Sequence, residues 1–395
     1  MNPYDKSSQS LSRRQFAHGG MASVIAVGAA PFMGKAMAQN SGEKKLGLAV
    51  VGLGGYATHN IAPELNSCNH VRLAGVVTGD PGGKGKEWAK KYQFEEDAIY
   101  AYANFDEIAA DDRIDMVHIA LPNSMHAEYA IRAAKAGKHV MVEKPMAISS
   151  EECEAMIAAA KEAKVLLGVN YRLHWEPHHL KAIDLIKAGA CGDLACGNYE
   201  FSWGYAAALL APVRAKKAKK WLLDPKMAGG GALFDTGVYP IQAACYLTGR
   251  EPISVRGLPS TRHADIFPTG IEETMAYELA FEDGFQAICR ASYSHNFQQC
   301  LSLGTKGRVE VGDLTKTFTQ SRGGKVSPKH VYRYGKDIVC EDTLQQAVLL
   351  DAFAMAITKG DGAFKTPGEM GWRDIRIVEK IYESAAIGGA SVALR

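Results

Sequence analysis

Two stretches of this 395-residue chain carry side chains whose types and spacing suit proton transfer. In the first, Glu143 and Lys144 directly follow an apolar run. In the second, Asp235 and Tyr239 follow three consecutive glycines and are four residues apart. On a helix, side chains at this spacing share one face, with Cβ atoms about 5–6 Å apart. A carboxylate beside a phenol suits acid–base chemistry; a helix-capping aspartate and a half-buried tyrosine are the alternative.

The apolar run before Glu143 predicts the element that positions Lys144. Residues 138–142 have the composition of a buried strand. Ligands of open α/β sheets bind at the carboxyl ends of the strands, so this strand is expected to carry Lys144 to a ligand site. We also expect a cis peptide bond before Pro145, because a tight turn would aim Lys144 inward. An ordinary surface turn is the alternative.

A glycine-rich turn follows the apolar run at residues 46–51, and a helical pattern begins soon after it. The turn reads Gly52-Leu53-Gly54-Gly55-Tyr56, with Ala57 where the dinucleotide fingerprint has its third glycine. Glycines in this context let the backbone approach a pyrophosphate at a helix N-terminus. The strand, turn and helix together favour a dinucleotide site over an ordinary turn.

The end of the second predicted strand, residues 71–77, bears on the choice of cofactor. NAD-specific sites usually place an acidic residue there to bind the ribose 2′-hydroxyl. This chain has Thr78 at that position, with Lys84 and Lys86 shortly after it. A hydroxyl near ammonium groups suits a 2′-phosphate, which favours NADP. Asp80 leaves NAD as the alternative.

The order of strands and helices predicts two domains. Strands alternate with helices through residues 39–169, which predicts a Rossmann domain with a doubly wound parallel sheet. Residues 170–395 predict an α+β domain on a mostly antiparallel open sheet. Its expected strands are residues 194–203, 253–258, 274–281, 285–292 and 299–311.

Three polar residues just after the first domain are expected to line a ligand pocket. Tyr171 and His174 are assigned to the substrate. For Arg172, a structural pair with a carboxylate is the alternative.

Residues 1–38 have the features of an export signal. A polar stretch ends in Ser12-Arg13-Arg14-Gln15-Phe16, which resembles the twin-arginine signal. A mildly apolar run follows, and then an A-x-A-like cleavage site, Ala36-Met37-Ala38. The run is too short and too rich in Gly and Ala for a membrane anchor. We expect the twin-arginine export machinery as a partner and a periplasmic location; a cytoplasmic tail is the alternative. The cofactor is then expected to be tightly bound, because no free nicotinamide pool exists outside the cytoplasm.

The overall composition argues against several classes of partner. A formal net charge of +2 gives no electrostatic reason to expect nucleic acid. The eight cysteines contain no CxxC pair, so we expect no metal site and no disulfide framework, only buried free thiols.

Together these motifs resemble the glucose–fructose oxidoreductase/inositol dehydrogenase (Gfo/Idh/MocA) family, in particular its periplasmic glucose–fructose and aldose–aldose oxidoreductases. The resemblance covers nearly the whole chain after the signal. It rests on the glycine turn, on Glu143-Lys144-Pro145, and on residues 121–126, 171–174 and 229–239. Inositol-type members have His where this chain has Tyr239.

The resemblance implies that Lys144, Asp235 and Tyr239 are catalytic and contact a sugar. Tyr239 would take the proton of the C1 hydroxyl as hydride leaves C1 for the nicotinamide. Lys144 would favour the ionised phenol and fix the hydroxyl oxygen. The expected cofactor-binding residues are Gly52, Leu53, Gly54, Gly55, Tyr56, Thr78, Lys84, Tyr102, Leu121, Pro122, Asn123, His126, Glu143, Lys144, Arg172 and Trp221.

The expected function is therefore that of an NADP-dependent sugar oxidoreductase, with a second sugar as acceptor in a ping-pong cycle. The expected assembly is a homodimer or homotetramer. The family's long N-terminal arm is nearly missing, and Leu222 stands where the family has an arginine that contacts phosphate. Two alternatives remain: an NAD-dependent glycoside hydrolase of the same fold, and a non-catalytic sugar or nucleotide sensor.

Overall fold

The computed structural model describes residues 45–210, 220–312, 330–333, 336–338, 340–360 and 362–394. The predicted export signal and cleavage site lie outside the described residues. Within the described residues, no helix combines the length and apolar character needed to cross a membrane.

The first half of the chain forms a six-stranded parallel sheet in the order β3-β2-β1-β4-β5-β6. Its strands are β1 (Leu46–Val51), β2 (Val71–Val77), β3 (Ile99–Tyr100), β4 (Met116–Ile119), β5 (His139–Val142) and β6 (Leu167–Val169). A π-helical turn, Ala57–Ile61, leads into α1 (Ala62–Leu65); α2 (Lys86–Tyr92), α3 (His126–Lys135) and α4 (Ser150–Ala163) follow. The predicted doubly wound parallel sheet is confirmed, and its apolar strands are buried because helices cover both faces.

The second half forms a nine-stranded sheet in the order β14-β13-β12-β11-β7-β10-β9-β8-β15. Its strands are β7 (Leu194–Ser202), β8 (Pro252–Ser260), β9 (Thr274–Phe281), β10 (Gln286–Ser292), β11 (Phe297–Gly304), β12 (Gly307–Gly312), β13 (His330–Arg333), β14 (Lys336–Ile338) and β15 (Val392–Ala393). All described pairings are antiparallel except that of β7 with β10, so the predicted mostly antiparallel sheet is confirmed.

The described α-helices of this half are α5 (Pro177–Lys187), α6 (Tyr205–Leu210), α7 (Pro225–Ala228), α8 (Val238–Thr248), α9 (Gln345–Lys359) and α10 (Gly368–Ala386). Helix α9 packs against the parallel sheet, where Leu349, Leu350 and Phe353 join the same buried cluster as Leu48 and Val50 of β1. A late part of the sequence thus covers the first domain.

One predicted strand is wrong. The stretch at residues 299–311 is a hairpin of β11 and β12, in which Gly304 pairs with Gly307 across the turn. The turn escapes prediction because apolar residues continue at odd positions on both sides of it. The buried positions change from even numbers in β11 to odd numbers in β12.

The eight cysteines are free, and six of them are buried.

Candidate active site

Strand β5 ends beside the second domain, so that Lys144 meets Asp235. Lys144 Nζ donates to the backbone oxygen of Asp235 at 2.6 Å and lies 3.2 Å from its carboxylate Oδ1. The peptide bond between Lys144 and Pro145 is cis, as expected. Burial by itself lowers the pKa of Lys144, but Tyr239 and Asp235 more than offset this, and the pKa lies above its ordinary value. Lys144 is therefore a protonated cation at neutral pH.

The carboxylate of Asp235 is held from its other side by two aromatic residues. Trp203 Nε1 donates to Asp235 Oδ2 at 3.1 Å, and the Tyr293 hydroxyl lies 3.3 Å from the same oxygen. With Lys144 on Oδ1, both carboxylate oxygens have donors. Donors on both oxygens favour the ionised carboxylate and fix its orientation.

Tyr239 is 6% exposed and lies between an aromatic ring and a cation. Its ring stacks on Phe201, with centroids 4.2 Å apart and planes 17° apart. Lys144 Nζ lies 4.9 Å from the centroid of the Tyr239 ring. Arg172 is a second cation near Tyr239: burial lowers the pKa of its guanidinium, but Tyr239, Tyr56 and Glu143 raise it above the ordinary value. Two cations therefore lie near the phenol of Tyr239.

The three glycines before Asp235 are needed for close packing against Glu272. Gly229 has a φ of +84°, and a Cβ on Gly231 would overlap the backbone of Glu272. The Glu272 carboxylate accepts hydrogen bonds from Gly231 N at 3.0 Å and Leu233 N at 2.8 Å. This carboxylate caps the first turn of the helix that carries Asp235, a π-helical turn spanning Leu233–Gly237. A π turn at a functional site is a common feature of enzymes.

Glu143 lies in a buried polar network beneath Lys144. Its Oε1 accepts from His118 Nε2 at 3.0 Å and from Asn170 Nδ2. Asn170 also donates to Gln346 Oε1 at 2.9 Å, and Gln346 Nε2 donates to the Tyr56 hydroxyl at 2.7 Å. The network connects the strand end that carries Lys144 to the glycine turn that carries Tyr56. A direct contact of Glu143 with the cofactor stays a prediction.

The glycine turn has the open backbone that a pyrophosphate requires. A Cβ on Gly54 or Gly55 would meet no atom within 4 Å, whereas one on Gly52, at a φ of +92°, would strike the carbonyl of Ala120. Gly52 thus allows the tight turn, and the next two glycines leave free space above the backbone. These residues fit a dinucleotide, whose phosphates would lie over Gly54 and Gly55.

The end of β2 and the segment after it also have a geometry that fits a nucleotide. The carboxylate of Asp80 accepts from Gly83 N and Lys84 N, both at 3.0 Å, so it caps the turn Pro81–Gly85. Lys84 Nζ donates to the backbone oxygen of Leu53 in the glycine turn. Lys86 is instead paired with Glu96 at the surface.

Other predicted cofactor residues link elements of the protein. His126 is buried, with Nδ1 2.9 Å from the Pro145 oxygen and Nε2 3.0 Å from the Leu121 oxygen. Asn123 is buried and donates to the Ala228 oxygen in the second domain at 2.8 Å. Both ring nitrogens of His126 face protein carbonyls, so its clearest role is to fix the turn after Lys144.

Tyr102 lies next to the nucleotide end of the site, since a Cβ on Gly79 would touch its ring at 3.4 Å. Trp221 is half-buried against the core, and Leu222 is buried. The roles of Pro122 and Trp221 toward the cofactor stay predictions.

Tyr171 and His174 lie in the protein core. Tyr171 is 2% exposed and His174 is 4% exposed. His174 Nε2 lies 2.7 Å from Gln242 Oε1, and its ring packs edge-on against Tyr246, so His174 supports helix α8. Contact of Tyr171 and His174 with the substrate stays a prediction.

The sequence motifs did not indicate the aromatic residues around Asp235 and Tyr239. Phe201 and Trp203 are two residues apart at the end of β7 and contact Tyr239 and Asp235, and Tyr293 follows β10, the parallel neighbour of β7. The alternation Tyr199, Phe201, Trp203 is a signal that the sequence contains, since residues at this spacing share one face of a strand.

Comparison with known proteins agrees with this geometry. The family model described as the Gfo/Idh/MocA oxidoreductase family with an NAD-binding Rossmann fold matches residues 46–171, and that of the family's C-terminal domain matches residues 179–310. The crystal structure of aldose-aldose oxidoreductase from Caulobacter crescentus is 34% identical, with a TM-score of 0.79, and the match covers 89% of this chain and 100% of that one.

Two further relatives are more distant. D-xylose 1-dehydrogenase [NADP(+)] from Haloarcula marismortui is 29% identical over 88% of this chain and 93% of its own length. An inositol dehydrogenase homologue from Azotobacter vinelandii, solved with NAD⁺, shares the fold at 22% identity, with a TM-score of 0.74 over 89% of this chain and 97% of that one.

The two matched ranges together cover well over half of the chain. The chain therefore belongs to the Gfo/Idh/MocA oxidoreductase family, and the glycine turn, Lys144, Asp235 and Tyr239 all lie within the matched ranges.

Proposed function

We propose that this protein is an NADP-dependent sugar oxidoreductase that moves hydride between C1 of an aldose and a tightly bound nicotinamide. A second sugar then accepts the hydride and so reoxidises the cofactor, which completes a ping-pong cycle. The observation that carries the proposal is the position of Lys144 Nζ. This atom contacts Asp235 and lies 4.9 Å from the centroid of the Tyr239 ring. The names of two relatives support a sugar substrate, since one is an aldose-aldose oxidoreductase and the other a D-xylose 1-dehydrogenase.

The protein's own residues handle the proton in this reaction. When bound, the nicotinamide supplies the acceptor and donor of hydride. Tyr239 takes the proton of the sugar hydroxyl in the oxidative direction and returns it in the reductive one. The ammonium of Lys144, held by Asp235, stabilises the negative charge that develops on the phenol and on the sugar oxygen. Arg172 adds a second positive charge on the buried side of Tyr239.

The absorbance spectrum of the purified protein tests the function. The protein should carry a nicotinamide nucleotide, gain reduced-nicotinamide absorbance with glucose and lose it with fructose or a lactone. Purified protein without nucleotide and without any such response would refute the proposal. Release of sugar from an aryl glycoside would instead favour a glycoside hydrolase, and binding of sugar without turnover would favour a sensor.

The preference for NADP over NAD rests on Lys84 and Asp80. Asp80 is already used as a cap, while Lys84 lies against the glycine turn, where a 2′-phosphate would meet its ammonium group. The printed name of the Haloarcula relative supports NADP, and the Azotobacter homologue binds NAD⁺. Titration of the nucleotide-free protein should give tighter binding of NADPH than of NADH, and Lys84→Ala should remove most of that difference.

Export and assembly complete the proposal. The twin-arginine motif at residues 12–16 supports export to the periplasm; a fusion to a reporter that is active only outside the cytoplasm, with Arg13 and Arg14 changed to Lys as a control, tests it. The alternating burial of β10 and the exposed Ile288 and Phe297 support a homodimer or homotetramer built on the open sheet face. Light scattering of the purified protein gives its mass in solution.

A further inference from the structure

Gln345 is a buried polar residue beside the active site that the sequence motifs did not single out. It is the first residue of α9 and is 0% exposed. The next residue, Gln346, contacts the Tyr56 hydroxyl in the glycine turn. The backbone N–H groups of Gln346 and Ala347 are already bound by the Glu64 carboxylate. The group that Gln345 offers to the site is therefore its side-chain amide.

The orientation of this amide is fixed by chemistry. Gln345 Oε1 accepts a hydrogen bond from Arg172 Nη1. Arginine has donors and no acceptor, so the oxygen of the amide must face Arg172 however the two amide atoms are assigned. Gln345 Nε2 then points away from Arg172. Within the part of the chain that the structure describes, no group accepts a hydrogen bond from this buried Nε2 atom.

A buried donor without an acceptor costs stability, so such groups usually have a partner in the working state of a protein. The surroundings of Arg172 indicate which partner this is. Gln345 accepts from Arg172, and its neighbour Gln346 donates to the Tyr56 hydroxyl in the glycine turn at 2.7 Å. The influence of Tyr239 on the pKa of Arg172 agrees with a guanidinium near the phenol. Gln345 therefore lies between the glycine turn and Tyr239, where the nicotinamide end of a dinucleotide would lie.

We propose that Gln345 Nε2 donates a hydrogen bond to an oxygen acceptor on the nicotinamide–ribose half of the cofactor, a carboxamide or hydroxyl oxygen. The inference rests on the proposed function, because it requires a nicotinamide nucleotide. Arg172 fixes the amide of Gln345 from one side, and the amide in turn fixes the rotation of the nicotinamide half relative to Tyr239.

Two substitutions separate the donor from the contact with Arg172. Gln345→Glu keeps an oxygen for Arg172 and removes only the donor, and Gln345→Met removes both without adding a charge. Dissociation constants are measured by titration of the nucleotide-free proteins with NADPH and with 2′,5′-ADP, which lacks the nicotinamide half. Both variants should bind NADPH about tenfold more weakly, the effect of losing one hydrogen bond. Both should bind 2′,5′-ADP as the parent does.

Gln93→Glu, at an exposed position directly after α2, is the matched control for the added charge and should leave both constants unchanged. Thermal unfolding verifies that the variants fold. If Gln345→Glu does not fold, Gln345→Met alone provides the test. Unchanged NADPH binding would overturn the inference, as would equal losses for NADPH and 2′,5′-ADP. A raised KM for the sugar with unchanged NADPH binding would place the donor on the substrate and also overturn it. A parent protein that binds neither nucleotide would instead refute the proposed function.

Discussion

Lys144→Met is the substitution that tests the proposed chemistry most directly. Methionine preserves most of the side-chain volume and removes the ammonium that lies 4.9 Å from the Tyr239 ring centroid. At about 5 Å and an effective dielectric constant of about 20, two unit charges attract each other by about 3 kcal/mol. If the phenol is negatively charged in the transition state, kcat/KM should fall on the order of 10²-fold.

The assay is the steady-state rate of glucose oxidation with fructose present as the second sugar, measured from pH 7 to pH 10. The Lys144 pKa is raised, since Tyr239 and Asp235 outweigh the effect of burial, so the parent keeps its cation across this range. The loss in kcat/KM should therefore be present at every pH in the range.

A matched control comes from the surface. Lys161 pairs with Glu369 at 3.2 Å, and its side chain is 71% exposed, so Lys161→Met should change kcat/KM by less than about twofold. Lys144→Met also leaves Asp235 without its cation, and Asp235→Asn in the same chain should recover stability but not activity. A Lys144→Met enzyme with kcat/KM within about threefold of the parent would refute the proposed role.

Three further outcomes are expected. Tyr239→Phe keeps the stacking on Phe201 but should lower kcat by about 10²–10⁴-fold with unchanged NADPH affinity; full turnover would contradict the role of Tyr239 as acid and base. Gly54→Val should leave the melting temperature unchanged, because its Cβ points into open space, yet weaken NADPH binding at least about tenfold; unchanged affinity would argue against a pyrophosphate at this turn. Burial lowers the pKa of His174 to about 4, so between pH 6.5 and pH 4 the unfolded chain binds a proton that the folded chain does not. Stability should therefore fall as pH falls through this window, by up to about 3 kcal/mol in urea unfolding, and His174→Gln should remove that slope; equal slopes would contradict it.

The sequence by itself determined the architecture and the position of the chemical groups along the chain. Alternating apolar strands and helices predict the parallel sheet, because buried strands and amphipathic helices have different periodicities. The glycine turn, the strand end at Lys144 and the spacing of Asp235 and Tyr239 are local patterns, and the structure brings all three side chains together.

Only the tertiary structure decided which side chains complete the site. Trp203, Tyr293 and Gln345 come from strand ends and a helix start far from Asp235 and Arg172 in sequence, and no local pattern specifies that they meet. The same reason explains why the sequence did not indicate the contact of His174 with Gln242 in the core. Local periodicity predicts secondary structure, whereas long-range packing decides whether a polar side chain faces a ligand or another part of the protein.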